Sequence, residues 1–424
     1  GETVALMLAN RPEFHLCDLA VMTTGATPFS IYQTLPPESI EYVVGDAGAR
    51  IAVIERAFYE TFMKARQNLP QVEHVIVIDG EGEEGTLPLS EVEGSNPGFD
   101  VEAAVAGIQP HDLITLIYTS GITCPPKGVQ LDHANLMAGV RILNKVIQVP
   151  DAARVISWLP TAHIAERAAN YYIPLAFGAT ITTLDNPRNI IQALPQVRPN
   201  FFFAVPRIWE KMKSGLEAQL AQLPGEQGDL ARKAIQAGIQ KVRLEQAGQE
   251  VPKELAEVCE RADAELFSKL RGLLGLDEAR AINTGAAPTP VDVLEFFHAI
   301  GLELAEVWGM SETTGAGTTN PPGKVRIGTV GPPAPDIEIK LEVRIRGPVI
   351  MRGYRNLPDK TKETFTEDGW LRTGDVGEFD DHGYLKIVDR KKELIINAAG
   401  KNMSPSNIES KLKGSSPFIG QACA

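Results

Sequence analysis

The sequence predicts an α/β fold: a large N-terminal domain of parallel-sheet βαβ subdomains plus a distorted β-barrel, followed by the start of a small α+β C-terminal domain. Three observations carry that prediction. Short apolar runs alternate with helical spacing over the first 80 residues and again from about 113 to 207, the pattern of strands joined by crossover helices. Residues 209–279 become rich in Ala, Gln, Glu, Lys, Arg and Leu, which reads as a helical insertion. From Val325 onward the pattern turns to β.

The elements follow in order. Pro12 to Thr23 reads as a helix, Ala49 to Glu55 as a buried strand, Ala57 to Asn68 as a helix and Val75 to Asp79 as another apolar strand. Gly80 to Gly107 is acidic and Gly-rich, and reads as an exposed loop. Its G-x-G-x-x-G match is set aside, because three glutamates would repel a pyrophosphate and Thr86-Leu87-Pro88 does not open a helix. Leu113 to Tyr118 is a strand, and a helix starts at Asp132 as its N-cap. In the insertion Leu255, Val258, Ala262, Leu266, Leu270 and Leu273 recur at steps of three and four, one apolar helical face. Later come strands in IEIKLEVRIRG, a hairpin around Asp380 to Gly383 and a strand from Tyr384 to Val388. The charged run Asp389 to Lys392 suits a hinge, giving domains of 1–388 and 389–424.

Composition narrows the function. With 41 Lys+Arg against 54 Asp+Glu, the net charge is −13 over 424 residues, which argues against a nucleic-acid partner that would need a basic stripe. Four dispersed cysteines, Cys17, Cys124, Cys259 and Cys423, indicate neither a zinc site nor a disulfide framework and fit a cytoplasmic location. His15, His74, His111, His133, His298 and His382 show no metal spacing. The longest uncharged run, Leu19 to Pro37, carries three prolines, so no transmembrane segment is expected. Peripheral membrane association through the insertion stays open, although the helix is not strongly basic.

Four short segments carry chemistry. Tyr118-Thr-Ser-Gly-Ile-Thr-Cys-Pro-Pro-Lys-Gly-Val129 is a strand opening into a loop of hydroxyls with one Lys. It is a phosphate cradle with Lys127 as point charge, or a plain connector. Gly285-Ala-Ala-Pro288 is a turn that would let a flat ring approach the backbone, or only a turn. Trp308-Gly-Met-Ser-Glu-Thr313 sets an aromatic, a hydroxyl and a carboxylate together, and Glu312 could hold Mg²⁺ against phosphates. In Thr373-Gly374-Asp375 one carboxylate could accept both hydroxyls of a ribose diol.

The order YTSGITCPPKGV, GAAP, WGMSETTG, RTGD and DRKKELIINAAGKNMSP resembles the adenylate-forming superfamily of acyl-CoA synthetases, luciferases and peptide-synthetase adenylation domains. WLPTAHIAER, VPRIWEKM and VIMRGYRN are most similar to bacterial long-chain fatty acyl-CoA synthetases. The resemblance implies that Thr119, Ser120, Gly121, Thr123, Lys127 and Gly128 form the phosphate loop. Gly285, Ala286 and Ala287 would be the adenine turn and Trp308 the stacking aromatic. Ser311 would contact the α-phosphate, Glu312 ligate Mg²⁺, and Asp375 and Arg390 bind ribose. Asp389 would be the hinge, and His163, Gly309 and Met310 would lie by the reacting carboxylate. Trp209 would gate an acyl tunnel, and Gly400 would line the path of CoA.

The implied reaction joins a fatty acid to CoA through acyl-AMP, at the expense of ATP. A fatty acyl-AMP ligase that loads a carrier protein and a non-catalytic nucleotide-binding fragment are the alternatives. Ile122 and Cys124 stand where the family has Thr and Gly, and the family's acidic turn between Lys340 and Glu342 is missing. The family's adenylation Lys belongs to a C-terminal motif that the sequence does not include, so the resemblance also predicts a chain cut at both ends.

Overall fold

The computed structural model describes residues 2–119 and 125–391, with residues 395, 396, 402, 403, 405, 408, 409 and 412 beyond them. An eight-stranded sheet forms the first layer. β1 (Thr3–Met7) is buried at every position, and β2 (Thr27–Ser30), β3 (Ile51–Ile54) and β4 (His74–Val77) lie parallel to it or to one another. β5 (Leu87–Pro88) extends that edge. On the other side follow β6 (Leu113–Thr119), parallel to β2, and β7 (Lys127–Asp132), antiparallel to β6. Strands buried on both faces read as continuous apolar runs, which is why TVALM and IAVI belong here.

The crossover helices Pro12–Thr23 and Pro37–Ala47 each begin with Pro, whose missing N–H costs nothing in the first turn. The second ends on Gly48 at φ 68, the left-handed cap that glycine adopts readily. Residues 80–107, expected as one exposed loop, also hold β5 and the helix Val101–Ala106. That helix is nucleated by the Asp100 carboxylate accepting from Ala103 N at 2.9 Å.

A second α/β layer holds the parallel pair β8 (Arg154–Ser157) and β9 (Thr180–Thr183), and a four-stranded sheet. In that sheet β10 (Phe201–Ala204), β11 (Ala281–Thr284) and β12 (Leu304–Trp308) are parallel, and β13 (Thr318–Thr319) is antiparallel. Between β10 and β11 run the helices Pro206–Ala221, Gly225–Gln246, Lys253–Ala262 and Ser268–Leu274. The apolar face expected for the last two is partly wrong. Val258 and Leu273 are exposed, while Cys259, Ala262, Phe267, Leu270 and Leu274 are buried. A π-turn at Asp263–Phe267 joins the two helices; its extra residue rotates the face downstream of it by about one position, which fits burial at Leu274 in place of Leu273, while Val258 lies upstream of the turn and its exposure has no such explanation.

The rest of the chain is antiparallel. β14 (Glu338–Lys340), β15 (Arg344–Arg346) and β17 (Leu371–Arg372) pair, β16 (Gly353–Tyr354) closes the first sheet against β7, and β18 (Asp375–Phe379) pairs with β19 (Leu385–Arg390). The short turn between β14 and β15 puts Glu342 at φ 58, a conformation L-residues rarely adopt. Among the described residues no helix is long and apolar enough to cross a membrane.

Candidate functional site

The site lies at the C-terminal ends of the parallel strands, where α/β sheets open their crevices. β6 ends at Thr119, and the chain returns at β7 with Lys127 directly opposite Thr119. Residues 120–124 lie outside the described residues, so the expected phosphate-loop positions Ser120, Gly121 and Thr123, and also Ile122 and Cys124, are not placed. Gly128 is required locally, because a Cβ there would come within 3.0 Å of the Tyr118 ring.

Lys127 leads to a group that sequence reasoning missed. Its Nζ donates to the Tyr354 hydroxyl at 3.1 Å and lies 4.2 Å from that ring's centroid. The same hydroxyl donates to Glu312 Oε1 at 2.7 Å. Burial and the neighbouring Glu312 carboxylate push the Tyr354 phenol up from its ordinary value, so it stays protonated and can donate. Tyr354 stands on β16 beside Val129 of β7, a pairing across 225 positions that local pattern does not reveal.

Glu312 is buried within the short turn Ser311–Thr313. Met351 N donates to its carbonyl at 2.9 Å, and Thr314 Oγ1 donates to Val349 O at 2.7 Å. Gly309 could carry no side chain, since a Cβ would sit 2.3 Å from Gly315 O. Met310 and Ser311 are half-buried beside it.

A second cluster forms four residues upstream. Trp308 Nε1 donates to Asp375 Oδ2 at 2.9 Å, and Arg390 Nε pairs with Asp375 Oδ1 at 2.8 Å. The hairpin register sets Asp375 opposite Arg390. Asp389, also buried, accepts from Arg390 N at 2.7 Å. Three residues expected around one nucleotide are therefore in contact, although they are 15 to 82 positions apart.

The turn Gly285–Ala287 follows β11. Ala286 takes φ 67, a left-handed conformation that costs a non-glycine residue about 1–2 kcal/mol. The surroundings hold it there. A Cβ on Gly285 would meet Val307 O at 3.0 Å, and the Thr284 and Thr289 hydroxyls bond at 2.9 Å. Thr289 N donates to the Glu306 carboxylate at 3.2 Å, and burial pushes that carboxyl up to about 7. Glu306 and Thr289 carried no sequence signal beyond their nearness to the motifs.

His163, Ala286 and Gly309 lie along the wall of a cavity of about 210 Å³. Its apolar lining includes Leu136 and Ile142 of the helix His133–Ile147, Phe203 of β10, and Ile164, Ile173 and Phe177. His163 Nδ1 accepts from Ala165 N at 3.1 Å, which leaves the ring proton on Nε2, and burial lowers its pKa. Trp209 does not reach the cavity wall. Its helix aims it into the core, fully buried and edge-on to Phe202 at 5.5 Å and Phe297 at 5.0 Å. Phe202 stands between it and the space it was expected to gate.

The segment carrying His163 is fastened by buried charge. Arg167 donates to Asp18 Oδ1 at 2.8 Å, Ser30 Oγ at 2.8 Å and Thr161 O at 3.2 Å. Glu166 accepts from Asn170 Nδ2 at 2.8 Å, Leu159 N at 3.0 Å and Asn10 Nδ2 at 3.2 Å, and burial pushes it up to about 7. Gly400 lies outside the described residues. Among the described residues no three His, Cys, Asp or Glu side chains form a metal-binding group.

Known proteins resemble this chain in sequence and in fold. A family model described as "AMP-binding enzyme" matches residues 1–355. A Mycobacterium tuberculosis protein provisionally named a fatty-acid–CoA ligase, fadD11, is 43% identical over 79% of this chain and 60% of its own length. The long-chain-fatty-acid–CoA ligase FadD15 of Mycobacterium bovis is 31% identical, covering 100% of this chain and 70% of its own. The chain thus spans about 60% of the length of the first curated relatives it matches. The crystal structure of ATP-bound MatB from Rhodopseudomonas palustris superposes with a TM-score of 0.71 at 22% identity, over 100% of this chain and 75% of that one. At that identity the likeness is one of fold.

Proposed function

The chain belongs to the AMP-binding enzyme family, and on that premise we propose that it activates a long-chain fatty acid with ATP and joins it to CoA. The fatty carboxylate attacks the α-phosphorus of ATP, giving acyl-AMP and diphosphate. The CoA thiol then attacks the acyl carbon, giving acyl-CoA and releasing AMP. The observation that carries this reading is that one short turn joins two polar clusters to an apolar cavity: Trp308 belongs to Trp308–Asp375–Arg390, Glu312 to Lys127–Tyr354–Glu312, and Gly309 and Thr314 line the cavity. A charged triphosphate and a hydrocarbon need such opposite surroundings side by side.

In this reading Lys127, with Thr119, Ser120, Gly121, Thr123 and Gly128, holds the β- and γ-phosphates. Gly285, Ala286 and Ala287 cradle adenine with Trp308, and Asp375 and Arg390 take the ribose. Ser311 serves the α-phosphate. The neutral His163, with its proton on Nε2, donates toward the acyl carboxylate beside Gly309 and Met310. The donor chemistry fits Mg²⁺: Glu312 offers a hard carboxylate oxygen, the ligand type that ion takes alongside phosphate oxygens and water. When bound, the ion neutralises phosphate charge, and Lys127 adds to that effect. Tyr354 holds Lys127 and Glu312 in register before substrate arrives, which reduces reorganisation.

The same reading has residues 1–388 bind ATP and acid, and Asp389 act as hinge for a domain that begins at 389–424 and brings CoA past Gly400. Trp209 would gate the acyl path only through Phe202. A cytoplasmic location fits this chemistry. The test is fatty-acid-dependent release of diphosphate from ATP, followed by CoA-dependent release of AMP. Diphosphate release without the second step identifies an adenylate ligase, and neither step under saturating Mg·ATP and acid overturns the reading.

A further inference from the structure

The apolar cavity has a neighbour at one end, where two residues separate it from further space. A second cavity of about 250 Å³ lies behind it, and Ile147 and Asn283 line both. Their position along the sheet is ordered. β10, β11 and β12 run parallel, with Asn283 opposite Phe203 and Ala305. Strand alternation puts Ala281, Asn283 and Gly285 on one face of β11. Gly285 marks the nucleotide end. Four residues back at about 3.3 Å each, Ala281 lies roughly 13 Å away and lines only the second cavity. Asn283 falls between them.

The partition has two distinct parts. Ile147 is the last residue of its helix, before Gln148 turns left-handed at φ 54, and it is half-buried. The Asn283 amide is also half-buried, and its hydrogen bond to Ala305 O spans 3.5 Å, at the limit of a real interaction. A hydrocarbon chain passing that amide would strip its water and offer no partner in return. Beyond it the second cavity mixes Ala281, Leu302 and Val325 with Arg280 and Glu303.

We propose that Ile147 and Asn283 form the floor that limits acyl chain length, and that the second cavity is a distal chamber filled by longer chains only when the floor is opened. This rests on the first cavity taking a fatty acid, as proposed above. The chain lies along the sheet face, its carboxylate near His163 and its methyl end against the floor.

The experiment is calorimetric titration of saturated acids from octanoic to eicosanoic into the chain, with Mg·ATP present. Affinity should rise about fourfold for each methylene buried, and level off once the chain meets the floor. Ile147→Ala should move that plateau to longer acids. Adding Ala281→Leu, which narrows only the distal chamber, should restore the original plateau, and Asn283→Ala should act in the same direction as Ile147→Ala. A plateau unmoved in both Ile147→Ala and Asn283→Ala, with the acids still binding, overturns the floor while leaving the proposed function intact. No binding by any acid in the unmodified chain overturns the proposed function, and the floor with it.

Discussion

The segment 161–172, which lines the cavity, and the inserted helices over 206–274, which do not, are held in opposite ways. The first is fixed by charge in the interior. Arg167 and Asp18 are both fully buried, and their remaining donors and acceptors are met by Ser30, Thr161 and Tyr172. The second keeps pairs such as Lys241–Glu245 at 3.8 Å and Lys253–Glu257 at 3.9 Å on its surface, and is held by buried Trp209, Phe296 and Phe297. Directional bonds fix position, whereas apolar burial fixes only proximity. The region that must present His163 uses the former.

The largest expected effect breaks the interior pair. Arg167→Met leaves Asp18 buried without its partner and should cost about 3–5 kcal/mol in chemical denaturation. Joint replacement with Asp18→Leu should recover most of that loss. A single substitution within 1 kcal/mol of the unmodified chain, by the same scale, would remove the contrast between the two regions.

Next comes the polar cluster. Tyr354→Phe removes a hydrogen bond to each of Lys127 and Glu312, worth about 1.5–3 kcal/mol where charged groups are involved. Mg·ATP should bind at least tenfold more weakly, a factor that corresponds to about 1.4 kcal/mol, while the acid-length profile stays unchanged. A Tyr354→Phe protein with unaltered ATP affinity would reduce the residue to packing.

A shallower effect is carried by pH. Burial raises the Glu166 and Glu306 carboxyls from 4.5 to about 7. A folded state that holds its proton more tightly than the unfolded chain is favoured at low pH, so this contribution is full below about 4.5 and lost as pH rises to about 7. Melting curves of Glu166→Gln and Glu306→Gln across that window should each show a smaller decline than the unmodified chain. Identical slopes would show that these groups do not titrate there.

The smallest effect belongs to the insertion's surface. Lys253→Ala should change stability by no more than about 1 kcal/mol, because exposed pairs such as Lys253–Glu257 are screened and entropically costly. A loss as large as that of Arg167→Met would place structural charge on the surface as well.

These regions also differ in how far the sequence discloses them. The strands TVALM, IAVI and LITLIY announce themselves by continuous apolarity, and Asp132 is the N-cap that its position suggested, with Asn135 completing a capping box that was not foreseen. The resemblance assigned Trp308, Asp375 and Arg390 to one nucleotide, but their contacts with one another could not be read from sequence. Tyr354, Glu306 and Thr289 were not assigned, because their significance arises only when distant strands pair. The π-turn at Asp263–Phe267 escaped because one inserted residue leaves composition unchanged while rotating a helical face. Trp209 aligned with a gating position, but an alignment does not tell which way a helix turns its aromatic, and here the core between Phe202 and Phe297 takes it.

The central claim is that the Lys127–Tyr354–Glu312 cluster receives the phosphates of Mg·ATP. Calorimetric titration of Mg·ATP into the unmodified chain and into Lys127→Ala tests it most directly. The unmodified chain should bind saturably and Lys127→Ala at least tenfold more weakly, a loss of about 1.4 kcal/mol or more, with both proteins melting alike. Equal affinities in the two proteins would contradict it.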